Sequence, residues 1–412
     1  MNKSPRLVAL ETLYSIFYDG SYSNIALDKA LSDIKENKAF ISALVYGVTE
    51  RKITLDYFID KYAQGRIKPK VRIVLWLGAY QLLFMDKVPS SASINESVKL
   101  VKEIKQDYYS KLVNAVLHKI DNDRQIPDDL SVKYSVPENL INMWKKQYGE
   151  DVLNEFLPCI NDKPPLFAIP NKKFVNSDEL LYELECDGIL GEAYDEFVLI
   201  ENANDLTDSK AFKNGLFYIE DLSSFNCANA LDALGDDLVL DMCSAPGGKA
   251  FTISQSMNNS GKIYCYDLHE HRLNLIKNGA KRLSIDNIFT DVNDATVYNE
   301  NIPKADKILC DVPCSGFGII RRKPEIRYKD LDSVKDLPQI QHKILETSSR
   351  YLKDGGRIIY STCTLNKKEN ENVVNKFLKD HSGYKLLKDK TVFPSTVGGD
   401  GFYYAIMVKN EN

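Results

Sequence analysis

No apolar run in this 412-residue chain approaches the ~20 residues that a membrane helix needs. The first residues, Met1-Asn2-Lys3-Ser4-Pro5-Arg6, have no apolar stretch behind them. No secretory signal is read there, and a soluble, cytoplasmic protein is expected. The eight cysteines include no Cys-x-x-Cys pair, which argues against a structural zinc site or a disulfide framework. Of the five histidines, His342 and His381 sit in no motif that would partner a cysteine nucleophile. No set of ligands has metal spacing, so a metal enzyme is not expected. Internal repeats and low-complexity tracts are also missing. These absences leave free thiols, and most of them, Cys159, Cys186, Cys227 and Cys265 among them, read as small buried hydrophobes.

The chain is longer than one hydrophobic core usually spans, so two or three domains are expected. Its net charge of −5 is unevenly spread: residues 1–121 carry +5, residues 122–220 carry −11 and residues 221–412 carry +1. A polyanion responds to the local field, and the basic amino-terminal segment keeps a nucleic-acid partner open.

Residues 1–122 read as a helical bundle. Leu7, Leu10, Leu13 and Phe17 recur at helical spacing, and the pattern continues through Asn24–Leu31, Phe40–Val48, Ile53–Tyr62, Val71–Phe84, Ala92–Ile104 and Tyr109–Ile120. Pro69 suits a first helical turn. Either Ser90 or Ser91 is expected to cap the helix that follows. After a polar linker, residues 130–214 read as a small α+β unit. Its acidic balance suggests spacing or orientation rather than phosphate contact. From Gly215 to the end, residues 215–412, short apolar strands alternate with helices (Leu238–Met242, Gly261–Tyr266, Ile288–Thr290, Lys307–Cys310, Gly356–Ser361, Tyr403–Val408). That alternation implies a largely parallel sheet covered by helices.

Three of these strands run into chemistry-bearing loops. The first leads into Cys243-Ser244-Ala245-Pro246-Gly247-Gly248-Lys249, where two glycines before a helix let a ligand approach the backbone. Asp267 ends the next strand, in reach of ribose hydroxyls. The loop is not Gly-x-Gly-x-x-Gly, which makes a dinucleotide the poorer ligand. S-adenosylmethionine fits better, with Asp294 after the third strand and Asp291 as its rival. The fourth strand ends in Asp311-Val312-Pro313-Cys314, followed by the basic residues Arg321, Arg322, Lys323 and Arg327, read as phosphate contacts. The fifth ends at Thr362-Cys363.

Strand ends on one edge of an open α/β sheet converge on one crevice, so two thiols could meet one substrate. A thiol is what methylation of cytosine carbon 5 requires. That carbon is too weak a nucleophile to attack a sulfonium methyl until a thiolate has added at carbon 6. A thiolate needs a partly exposed polar setting, and a carboxyl group, here Asp311, is wanted at the polar edge of the ring. The residues themselves do not say which of Cys314 and Cys363 attacks.

Leu44-Val45-Tyr46-Gly47-Val48, Leu55-Asp56, Gly78-Ala79-Tyr80-Gln81-Leu82-Leu83-Phe84, Val88-Pro89 and Val113-Asn114-Ala115-Val116-Leu117 together resemble the NusB-like RNA-binding helical domain. Asp241 to Lys249, Asp311 to Glu325 and Tyr360 to Glu371 resemble the signature runs of the Sun-type RNA cytosine-5 methyltransferases, bacterial 16S ribosomal RNA enzymes among them. Val312 stands where that family more often has Ala. The resemblance implies a multidomain protein: an all-α NusB-like bundle, a small α+β middle domain and a Rossmann-like methyltransferase domain. It implies Cys363 as nucleophile, Cys314 as an aid to product release, and cofactor contacts at Cys243 to Lys249, Asp267, Asp294 and Asp311. Asp294 is preferred to Asp291 because it precedes a small residue, Ala295.

The expected partner is 16S ribosomal RNA or a partly assembled small subunit, bound by a monomer, with the target base unstacked into the pocket. Two rivals stand beside this reading. A nicotinamide-dependent oxidoreductase would use the Gly-Gly loop and Asp267 but leaves both thiols unexplained. An RNA-binding assembly factor with an inert methyltransferase domain would not need Cys363, Cys314, Asp311 and Asp267 intact.

Overall fold

The computed structural model describes residues 3–202, 206–394 and 398–411. The chain forms two units, one running to Asp162 and including Ile320–Leu331, the other made of Lys163–Ile319 and Asp332 onward.

In the first unit, helices α1 (Pro5–Tyr18), α2 (Ser23–Leu31), α3 (Lys38–Tyr62), α4 (Pro69–Phe84), α5 (Ser90–Glu103) and α6 (Ser110–Asn122) are followed by α7 (Leu130–Tyr134), α8 (Glu138–Tyr148) and α9 (Glu150–Phe156). The apolar stripes of α1 to α6 meet in a core that includes Leu13, Leu44, Phe58, Trp76 and Leu117. Ser4 starts α1 by accepting from the Leu7 N–H, with Pro5 in the first turn. The two stripes read separately at Phe40–Val48 and Ile53–Tyr62 lie on one 25-residue helix, because Glu50, Arg51 and Lys52 between them are polar but good helix formers. Neither serine caps α5. Pro89 holds the cap position, and Ser90 Oγ instead accepts from Arg124 Nη2 at 2.7 Å.

Ile320–Leu331 completes this unit. The Arg327 side chain is fully buried, with the residue 1% exposed. Its Nη1 donates to the Glu50 carbonyl and to Asn161 Oδ1, each at 2.9 Å, and to the Ser135 carbonyl at 3.2 Å. The Tyr328 hydroxyl donates to the Thr49 carbonyl at 2.7 Å. The Glu325 carboxylate accepts from the Ser23 N–H and Oγ at 3.2 and 2.7 Å, which caps α2 where Tyr22 supplies no side-chain acceptor. The expectation that Arg327 meets RNA phosphates is therefore corrected: its donors are turned inward onto backbone carbonyls.

The segment 130–214, read as one middle domain, is divided between the units. Helices α7 to α9 pack with the helical bundle, where Ser135 Oγ accepts from the Ile53 N–H at 2.9 Å and Thr54 Oγ1 donates to the Val132 carbonyl at 2.5 Å. The rest joins the second unit as β1 (Leu166–Pro170), α10 (Ser177–Cys186), β2 (Gly191–Ala193), β3 (Val198–Ile200), α11 (Lys210–Lys213) and β4 (Phe217–Ile219), with the strands in the order β2-β3-β1-β4. A capping box of Asn176 and Glu179 opens α10.

The second unit continues with α12 (Leu222–Asn229), β5 (Leu238–Asp241), α13 (Gly248–Ser256), β6 (Lys262–Asp267), α14 (Glu270–Arg282), β7 (Ile288–Val292), β8 (Ala305–Asp311), α15 (Leu337–Ser349), β9 (Leu352–Thr362), α16 (Glu371–Asp380), β10 (Tyr384–Val392) and β11 (Phe402–Lys409). A seven-stranded sheet runs β10-β11-β9-β8-β5-β6-β7, antiparallel only at β10 and β11. The edge strand β10 escapes sequence reading because Lys385, Lys388 and Lys390 interrupt its apolar pattern, the kind of charge that protects an open edge.

Replacing Arg327 with Ala would strand several buried carbonyls, and each unmet group costs free energy. Urea denaturation is expected to show a loss of about 3 kcal/mol or more. A loss below about 1 kcal/mol, the range of an ordinary surface substitution, would show that the guanidinium does not hold the unit together.

Candidate active site

Strand order reverses at β5, which has β8 on one side and β6 on the other, so a crevice opens at the carboxyl ends of β5 and β8. The loop after β5 is held by two backbone bonds, Met242 N–H to the Leu309 carbonyl at 3.0 Å and Ser244 N–H to the Tyr266 carbonyl at 2.8 Å. It passes a cis Ala245–Pro246 bond and enters α13 through Gly247 at φ +110°. A Cβ on Gly247 would lie 2.9 Å from the Phe251 ring, so both conformation and space call for glycine there.

A cavity of about 190 Å³ opens at this loop, lined among others by Glu220, Asp241, Cys243, Gly248, Lys249 and Asp311. Lys249 Nζ donates to Asp311 Oδ2 at 2.7 Å. Burial would lower the pKa of this ammonium, but the adjacent Asp311 and Glu220 carboxylates more than reverse that and keep it charged. Asp241, 1% exposed, has no hydrogen-bond partner on either carboxylate oxygen among the described residues, and neither does Ser244 Oγ. Burial pushes the Asp241 carboxyl up to about 7. Glu220 is also pushed up to about 7 by burial, against the pull of Lys249, while Thr252 Oγ1 donates to it at 2.5 Å. The orphaned Asp241 carboxylate and Ser244 hydroxyl suit the ammonium end of an amino-acid-like ligand. The α13 N-terminus, at Gly248 and Lys249, suits its carboxylate.

The two thiols come from neighbouring parallel strands. Asp311 of β8 pairs with Ser361 of β9 in register, and Ser361 Oγ donates to Asp311 Oδ1 at 2.8 Å. Just past those ends, Cys314 Sγ and Cys363 Sγ stand 3.2 Å apart, both partly exposed. Contact with Cys363, then burial, lifts the Cys314 thiol well above its ordinary pKa, and repulsion from Glu369 and Asp311 adds to the shift. The Gly318 N–H donates to the Cys363 carbonyl at 3.1 Å. A Cβ on Gly318 would fall 1.9 Å from the Gly401 carbonyl oxygen, so only glycine allows this crossing.

Other expected residues lie apart from the cavity lining. Asp267, 4% exposed, pairs with Arg272 Nη1 at 2.9 Å, and Arg272 Nη2 donates to the Ala245 carbonyl at 2.8 Å. The exposed Asp294 carboxylate accepts from its own turn, from Thr296 N–H at 2.9 Å and Thr296 Oγ1 at 2.6 Å. Asp291 is likewise exposed and accepts from the Val292 N–H at 2.8 Å. The loop carrying Asp294 does lie against Asp267, through Asn293 N–H to the Asp267 carbonyl at 3.1 Å.

The basic cluster falls in the helical unit. There Arg321, at 7% exposed, joins Arg327 in burial, while Arg322 and Lys323 are half-buried. The phosphate-contact reading is corrected for the two buried arginines. Two carboxylates not singled out by the sequence belong here as well: Glu220, whose only signal is an acidic residue just after β4, and Glu369, which lies within the signature run Tyr360 to Glu371, six residues beyond Cys363. Among the described residues no group of three or more His, Cys, Asp or Glu could hold a metal ion, and no helix is long and apolar enough to cross a membrane.

The raised Asp241 carboxyl has a consequence for stability. The unfolded chain loses that proton near pH 4 whereas the folded chain keeps it to about 7, so between those values folding loses stability as pH rises. Asp241→Asn removes that penalty. Its melting temperature is expected to exceed that of the parent protein at pH 8 and to match it more closely at pH 5. An equal or lower value at pH 8 would mean that the carboxylate has a partner in solution.

Comparison with known proteins agrees with this geometry. Residues 228–408 match the family model described as 16S rRNA methyltransferase RsmB/F, and residues 3–122 match the NusB family. A protein of Bacillus subtilis named probable ribosomal RNA small subunit methyltransferase B is 33% identical, over 98% of this chain and 99% of its own length. A Synechocystis protein with the same name is 30% identical, over 93% of this chain and 90% of its own. Among solved structures, the crystal structure of PH0851 superimposes with a TM-score of 0.83 at 27% identity, over 99% of this chain and 100% of that one. With strand ends, glycine loop and paired thiols in this arrangement, and with that likeness along nearly its full length, the chain belongs to the RsmB/F family of 16S rRNA methyltransferases and carries a NusB-family domain at its amino end.

Proposed function

We propose that this protein transfers a methyl group from S-adenosylmethionine to carbon 5 of a cytosine in 16S ribosomal RNA, through a transient bond between Cys363 and the base. The observation that carries this reading is the thiol pair, two sulfurs 3.2 Å apart at the strand ends that also present Asp311.

Asp241 and the α13 N-terminus would hold the amino-acid end of the cofactor, and Asp267 its ribose. S-adenosylmethionine supplies an electrophilic methyl group on a sulfonium sulfur. The protein's part is to make carbon 5 a nucleophile. The Cys363 thiolate would add to carbon 6, and the ring electrons displaced toward carbon 5 would form the bond to the methyl as its bond to the sulfonium sulfur breaks, the bonding pair staying on sulfur to leave the neutral thioether S-adenosylhomocysteine. A base then removes the carbon-5 proton, and the electrons left behind expel the Cys363 thiolate, which restores the double bond. Cys314, held as a thiol beside Cys363, serves this release step. Asp311 is oriented by Lys249 and Ser361, and its side chain stays 27% exposed. A carboxylate with lone pairs to spare can accept from the exocyclic amine of the cytosine.

The target base must leave its stack to reach these groups. Flanking RNA, free or in a partly assembled small subunit, would meet the NusB-family domain, with the half-buried Arg322 and Lys323 as phosphate contacts.

The test uses labelled S-adenosylmethionine and 16S ribosomal RNA lacking the modification. Cys363→Ala is expected to give neither product nor covalent complex. Cys314→Ala is expected to give a protein–RNA complex that survives denaturing electrophoresis. Turnover by Cys363→Ala would assign the attack to another group.

A further inference from the structure

The most fully bonded carboxylate near the thiols has no place in the scheme above. Glu369 is 0% exposed. Its Oε2 accepts from the Ser315 N–H at 2.8 Å and from Gln341 Nε2 at 2.9 Å. Its Oε1 accepts from Ser315 Oγ at 2.6 Å and from Asn366 Nδ2 at 2.8 Å. Four donors on one carboxylate are near the limit of what it can accept. Gln341 Nε2 also donates to the Pro313 carbonyl at 3.0 Å. Cys314 is thus gripped on both sides in sequence, Pro313 through Gln341 and Ser315 directly.

The grip extends to the other thiol. Ser315 Oγ lies 2.7 Å from Thr364 Oγ1. Because the serine hydroxyl gives its proton to Glu369, Thr364 must donate to the serine. The Phe317 N–H closes the set by donating to Thr364 Oγ1 at 3.2 Å. A relay Thr364 to Ser315 to Glu369 therefore ties the residue after Cys363 to the residue after Cys314. The neighbouring Asn370 secures the Cys363 turn by accepting from Thr362 Oγ1 at 2.6 Å and donating to the Thr364 carbonyl at 2.9 Å.

We propose that Glu369 is a positioning residue for the thiol pair: its buried carboxylate sets the Cys314 loop against Cys363 and so governs how fast the covalent RNA complex is resolved. The inference rests on the roles given above to Cys363 and Cys314. Glu369 reaches neither substrate nor cofactor cavity and acts through Ser315, Gln341 and Thr364. Two of its four bonds go to the residue that follows Cys314, and its link to the Cys363 turn runs through a second hydroxyl. Its loss should therefore disturb release more than attack. A displacement of about 1 Å in such a group costs on the order of 100-fold in rate.

Single-turnover reactions with unmodified 16S ribosomal RNA separate the two steps, since formation and decay of the covalent complex are both visible on denaturing gels. For Glu369→Ala the complex is expected to form within a few-fold of the parent rate and to decay at least tenfold more slowly, with affinity for S-adenosylhomocysteine unchanged. Glu369→Gln keeps one carbonyl oxygen for the Ser315 N–H and Gln341, so it should recover most of the decay rate. Ser315→Ala removes only the hydroxyl relay and should slow decay by a smaller factor, with no further effect in the Glu369→Ala background.

Parent-like decay in Glu369→Ala would overturn the proposal, as would equal slowing of formation and decay. If Glu369→Ala does not fold, the same criteria apply to Ser315→Ala, and its parent-like decay would be equally damaging. Cys314→Ala is the control for the underlying reading. If that variant traps no complex, the covalent scheme fails; if it does while Glu369→Ala turns over normally, only the role of Glu369 fails.

Discussion

Lys249 is the cation on which the electrostatics of the site depend. Around it a small buried volume holds Asp311, Glu220 and Asp241, three carboxyl groups that would repel one another if all were ionised without it. Its salt bridge holds Asp311 in place, and the other two are left to burial, which pushes both toward neutrality. The cavity thus has two ends, an ion-paired carboxyl group on the thiol side and an unpartnered, raised one beneath the glycine loop. A zwitterionic ligand with a cationic sulfur would match these two ends, its ammonium toward the unpartnered carboxyl and its reactive end toward the ion-paired one. The fold keeps this carboxyl buried at a cost in stability, as happens where groups are arranged for function rather than for folding.

Placement of the thiols follows from sheet register rather than from local turn chemistry. With β8 and β9 parallel and Asp311 opposite Ser361, residues two or three positions beyond each must emerge on the same edge. Small residues and buried hydroxyls then close the gap. Gly318 lets two backbones cross, and Ser315 and Thr364 bond to each other where larger side chains would separate the turns. Glu369 and Asn370 receive these turns from one short stretch of chain, so both loops are referred to a common support.

Much of this was legible in the residue order. The apolar strands, the Gly-Gly loop and the strand-end cysteines carry their positions in local pattern, and so do the helical stripes of the amino-terminal bundle. Burial of charge was not legible. Arg321 and Arg327 read as phosphate contacts in sequence, yet in the fold they lie inside the helical unit, and Arg327 satisfies carbonyls of α3 and of the segments around Ser135 and Asn161. Glu220 is an ordinary acidic residue in sequence, and Glu369, though inside a signature run, acquires its meaning only when donors from Ser315, Gln341 and Asn366 converge on it. The edge strand β10 was hidden for the opposite reason, since its lysines advertise solvent exposure and mask the alternation beneath.

The passage of Ile320–Leu331 through the helical unit means that inheritance and folding divide this protein differently. The stretch that matches the methyltransferase family, 228–408, contains within it the peptide that caps α2 and fills the carbonyl cage beside α3. A single scission after Asp162 would therefore yield neither half whole: the amino-terminal fragment would lack a piece of its own interior, and the remainder would keep an orphaned plug. Modules joined in this way cannot be shuffled as beads on a string, and a lineage that exchanged one would have to carry the insert with it.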